Sequence, residues 1–70
     1  MAKLPVLTAK QIITLLKRRG FELDHATGSH YVLWHPESKR RVTVPFHRKD
    51  LPKGTLHSIL KQAGLSPDEL

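Results

Sequence analysis

The chain has 70 residues, with 12 Lys and Arg against 6 Asp and Glu, a net charge of +6 and a pI near 10.2. That length supports a single domain over residues 1–70, and a domain so small buries only about 60% of its unfolded surface, which leaves little stability in reserve. The absence of cysteine excludes disulfides, thiolate ligands and thiol nucleophiles and fits a cytoplasmic protein; no apolar run approaches the roughly 20 residues of a membrane span, and the apolar stretch in residues 1–7 is too short for a secretory leader.

From the N-terminus, Lys3 is read as part of a loose leading segment. Thr8 with Gln11 three residues later forms a capping-box pattern and predicts a helix beginning near Ala9. Ile12, Ile13, Leu15 and Leu16 give this helix one apolar stripe. Lys17, Arg18 and Arg19 fill its last turn, where positive charge complements the helix dipole. Gly20 follows as the stop, with Phe21 folding back as the apolar contact that closes such an end.

Alternation of Phe21, Leu23 and His25 with Glu22 and Asp24 predicts a first strand. Residues 26–29 turn the chain: Gly28 allows positive φ, and Ser29 hydrogen-bonds its own backbone. His30 to His35, rich in β-branched and aromatic residues, reads as the second strand. It directs Tyr31 and Leu33 to the core and leaves His30 and Trp34 accessible. Pro36 to Arg40 is a polar turn, and Arg41 to Val44 is the third strand, ended by Pro45, which has no amide to donate. Phe46 to Pro52 is a basic loop. A second helix starts at Lys53 or Gly54, carries Leu56, Ile59, Leu60 and Ala63 at helical spacing, and ends at Gly64-Leu65. Ser66-Pro67 opens at most one further turn. The order α-β-β-β-α makes an α+β fold, a three-stranded antiparallel sheet with two helices on one face.

A small domain this basic points to a polyanionic partner, and nucleic acid is the commonest. RNA carries its own nucleophile, the 2′-OH. Cutting it requires a group that moves a proton and cations that offset charge on the phosphate. His30 supplies the first, since an imidazole both accepts and releases protons near neutral pH. Lys17, Arg18, Arg19, Arg40, Arg41, Lys49 and Lys53 are candidates for the second, and each also reads as an ordinary solvated charge. At the junction Lys53-Gly54-Thr55 the unpaired amides of a helix start suit a phosphate. Ser29 and His47 are grouped with these RNA contacts. Trp34 reads equally as a core residue or as a platform for a stacked base. Water, His47 or a lysine is left to supply the acid that completes proton transfer. His57 is a surface group. No metal site, cofactor or small-molecule ligand is expected: His30 and His35, five apart on a strand, point to opposite faces, and His25 adds no ligand-like spacing. Two other readings stay open, a non-catalytic RNA-binding module and a basic protein that recognises only an acidic partner.

Several segments taken together are similar to the HicA toxins, mRNA interferases of HicAB toxin–antitoxin systems. They are Gly20-Phe21 after a basic helix, Gly28-Ser29-His30-Tyr31, His35-Pro36, residues 41–47, residues 51–56 and residues 59–65. The resemblance implies a fold like that of double-stranded-RNA-binding domains and ribosome-independent cleavage of mRNA. It implies that the motif histidine, here His30, is the essential residue. It also implies a HicB antitoxin that blocks the active site; against Arg18, Arg40, Arg41 and Lys53 such a partner is expected to present carboxylates. Tyr31 stands where the family often has a second histidine, so no role for that histidine carries over.

Overall fold

The computed structural model describes residues 6–47 and 49–69; Lys3 lies outside them. Helix α1 spans Ala9–Arg18, strands β1, β2 and β3 span Glu22–Thr27, His30–Trp34 and Arg41–Pro45, and helix α2 spans Lys53–Ala63. A 3-10 turn, Pro67–Glu69, follows. The sheet is antiparallel in the order β1-β2-β3, so the α+β arrangement read from the sequence is the one formed. No described helix is long and apolar enough to cross a membrane.

Both helices lie against one face of the sheet, and burial of apolar side chains holds the layers together. Ile12 and Leu16 of α1 and Leu56, Ile59 and Leu60 of α2 share one cluster with Leu33, Val42 and Val44. Each such side chain contributes about 1.5–3 kcal/mol when fully buried. Tyr31 is half-buried on the same face and stacks on Phe46, their ring centroids 4.7 Å apart. On the opposite face stand His30, Val32 and Trp34 of β2, paired with Pro45, Thr43 and Arg41 of β3.

Helix ends follow local chemistry. Gln11 N–H donates to the Thr8 hydroxyl and Thr8 N–H donates to Gln11 Oε1, the reciprocal capping box. Past α1, Phe21 N–H reaches Leu16 C=O (3.0 Å) and Gly20 N–H reaches Lys17 C=O (3.2 Å). This ending requires positive φ at Gly20, which adopts +97°. Leu65 and Gly64 make the same two bonds to Leu60 and Lys61 at the end of α2.

The strands depart from the sequence reading at Phe21, at the Leu23–His25 step, at the first turn, and at two strand ends, since β2 stops at Trp34, short of His35, and β3 runs on to include Pro45. Phe21 precedes β1 and is buried by the helix ending, not by strand alternation. A bulge between Leu23 and His25 breaks the phase, so these two residues face opposite sides of the sheet, and Leu23 is 44% exposed at the edge. The turn is shorter than residues 26–29: β1 runs to Thr27, and only Gly28-Ser29 connects it to His30. With φ +55° at Gly28 and no positive φ at Ser29, the pair has the type II′ pattern that suits a tight hairpin. Pro45 ends β3 from inside it. In a two-residue hairpin the closing pair Thr27–His30 exchanges backbone bonds, so His30 turns its backbone groups away from β3 and Pro45 loses no ladder bond.

Candidate active site

Local geometry fixes His30 on both sides. It opens β2 immediately after the two-residue turn, pairs with Thr27 of β1 and Pro45 of β3, and its side chain is exposed. Phe46 N–H donates to Ser29 C=O, which ties the turn to the loop leaving β3. An ideal Cβ on Gly28 would meet nothing within 4 Å, so the approach over the turn is open.

Beside Pro45 lies a cleft of about 440 Å³ lined by His47, Lys49, Asp50, Pro52 and Thr55. It joins the loop to the start of α2, where Pro52 is the N-cap and no side chain caps the helix. The first amides of α2 therefore have no capping side chain, and Lys53 and Gly54 are exposed beside them. His30 and Ser29 thus lie at the end of the sheet from which Pro45 and Phe46 lead into the loop and helix start that carry His47, Lys53, Gly54 and Thr55, with the His30 side chain on the face turned away from the helices.

The remaining candidates gather at the other end. Trp34 is four residues along β2, about 13 Å at strand rise. Its ring is half-buried and already has cations against it, Arg41 Cζ at 5.4 Å and Lys39 Nζ at 5.7 Å from the centroid. Arg41 also pairs with Asp24 at 2.9 Å. Arg40 lies against Gly64 and donates to Gln62 C=O (3.4 Å) at the end of α2. Lys17 and Arg18 are exposed in the last turn of α1, and Arg18 shares a groove with His35. Neighbouring Arg19 is bound to Glu69 by both its side chain and its carbonyl.

Sequence reasoning missed two histidine roles. His35 is a fastener: Ser38 N–H donates to its Nδ1 (3.1 Å), so Nε2 carries the proton and donates to Arg19 C=O (3.1 Å), joining the β2–β3 loop to the end of α1. The other is His25. Its Nδ1–H donates to Asp24 Oδ2 at 2.8 Å, a contact between neighbours that a regular strand would point to opposite faces. The bulge permits it. The His25 hydrogen bond, aided by Arg41, holds the Asp24 carboxyl below its usual range. No sequence signal marks a bulge of this kind.

The site is therefore an exposed imidazole at a rigid strand start, with a second imidazole on the same sheet face and cations at both ends of β2. It has the parts for proton transfer beside a bound polyanion. Comparison with curated proteins finds no match. Residues 9–65 match the HicA toxin family of bacterial toxin–antitoxin systems, a span that takes in both helices, the whole sheet and the turn at His30. The chain belongs to the HicA family of toxins.

Proposed function

We propose that this toxin is an endoribonuclease that cuts mRNA without the ribosome, that His30 is its essential proton-transfer residue, and that a HicB-type antitoxin silences it by covering His30. A toxin of such a system has an antitoxin as partner; the activity and the identity of that partner are the proposal. The observation that carries it is the exposed His30 at the rigid start of β2, paired with Pro45, which lines a cleft together with His47, Lys49, Asp50 and the start of α2. Lys53 and the amides of Gly54 and Thr55 hold the phosphate next to the cut. Ser29 and His47 flank it. The same strand of RNA runs along the sheet to Trp34, Arg40, Arg41, Lys17 and Arg18.

The test is RNA cleavage by the purified protein and by His30→Ala, with circular dichroism to confirm that both are folded. Loss of an acid–base residue costs about 10²- to 10⁴-fold. A folded variant cutting within a few-fold of wild type removes His30 from the mechanism. RNA bound but uncut by wild type leaves a non-catalytic binding module. No binding at low salt leaves a basic surface meant only for a protein partner.

A further inference from the structure

We infer that His25, oriented by Asp24, is the second proton-transfer residue of the site, delivering a proton to the departing 5′-oxygen. The inference rests on the cleavage activity proposed above.

Cleavage by the 2′-OH needs two proton transfers, one from the attacking oxygen and one to the leaving oxygen. The sheet register supplies a partner for His30. Thr27 stands opposite His30 and His25 opposite Val32, so His25 and His30 share the face turned away from the helices. They are diagonal neighbours on adjacent strands, with Cα atoms about 7–8 Å apart, a spacing long side chains bridge. Both are exposed. To act on one phosphodiester the two imidazoles must each come within about 2.6–3.2 Å of one of its oxygens.

The bulge makes His25 more than a surface residue. It re-aims the chain between Leu23 and His25, a device found beside active sites. Because the Asp24 carboxylate only accepts, His25 Nδ1 carries a proton toward it and Nε2 is the nitrogen left for substrate. A carboxylate orienting an imidazole through Nδ1 in this way is the positioning half of a catalytic triad. The charged groups facing His25 are Asp24 on its own strand, Arg41 on β3 through Asp24, and His30 on β2.

Other histidines are placed less well. Both nitrogens of His35 are engaged at the far end of β2. His57 lines a groove on α2 with Ser58, Lys61 and Leu65. His47 lies beyond the end of β3 in the loop that lines the cleft.

A ring nitrogen of His30 takes the 2′-OH proton as the 2′-oxygen forms its bond to phosphorus. The bond from phosphorus to the 5′-oxygen breaks, and the proton on His25 Nε2 passes to that oxygen. The products are a 2′,3′-cyclic phosphate and a 5′-hydroxyl, and solvent exchanges the protons that reset both rings.

An RNA with sulfur in place of the 5′-oxygen at the cut tests the assignment, because a thiolate leaves without being protonated. His25→Ala should cut ordinary RNA about 10²- to 10⁴-fold more slowly and the sulfur-linked RNA within a few-fold of wild type. Asp24→Asn should show a smaller loss with the same rescue. His30→Ala should be slow on both substrates. Equal loss on both substrates for His25→Ala, or none on ordinary RNA, overturns the inference, as does rescue seen with His47→Ala and not with His25→Ala. Failure of wild type to cut either substrate overturns instead the cleavage reading beneath it.

Discussion

At the scale of single residues, Asp24 connects three strands: it is in β1, binds Arg41 of β3, and lies beside the Trp34 ring of β2 through that arginine. Its carboxyl is held below the value of 3.8 by the His25 hydrogen bond and by Arg41. A folded-state value below the unfolded one contributes stability that is present above pH 3.8 and lost as pH falls through the lower folded value. The stability gap between wild type and Asp24→Asn, read by urea unfolding, should therefore close below about pH 4. A gap of equal size at pH 3 and pH 7 would show that the contact contributes no pH-dependent stability. The charge is exposed, so the gap is small even where it is largest.

At the scale of elements, the termini of α1 carry different loads. Thr8→Ala removes one half of the capping box and should cost about 1 kcal/mol in chemical denaturation. Gly20→Ala should cost more, about 1–3 kcal/mol, because it strains a backbone at φ +97° and sets a Cβ 2.8 Å from His35 Nε2. The second effect should also release His35 from Arg19, visible as a change in the His35 ring resonances. Equal costs for the two variants would mean that the helix ending, and not the His35 fastening, is all that Gly20 serves. Much of this scale was legible in the sequence, because capping boxes, glycine stops and apolar periodicity are local chemistry. The helix starts, the inward face of Leu33 and the exposure of His30 follow from it. The bulge at Asp24 was not legible, because it depends on how β1 registers against β2. The alternation of Phe21, Leu23 and His25 imitates a strand that the bulge interrupts. For the same reason a contact between Asp24 and His25, and with it the second imidazole, is invisible until the sheet is assembled. Nor does sequence tell that the cationic candidates divide between the two ends of β2.

For the whole molecule, that division has a consequence. Lys53 stands at the His30 end and Arg18 at the other, so charge reversal at Lys53 should weaken both binding and cleavage of a short RNA more than reversal at Arg18. Equal effects would mean that RNA senses only the net charge of +6. Binding should fall with salt at a slope of roughly −0.7 per phosphate neutralised. The antitoxin is expected to dock through carboxylates on the same cations, so at fixed ionic strength antitoxin and RNA should compete. A ternary complex that still cuts RNA would contradict occlusion of His30.

The central claim is that the fold presents His30 to the 2′-OH of RNA. An RNA carrying one 2′-deoxy sugar at a mapped cut tests it most directly. The account predicts that cleavage at that bond stops while affinity for the RNA is unchanged, and that the all-ribose control is cut there and yields a 2′,3′-cyclic phosphate. Cleavage of the deoxy-substituted bond at the rate of the control would contradict it, because the nucleophile would then be something other than the 2′-OH.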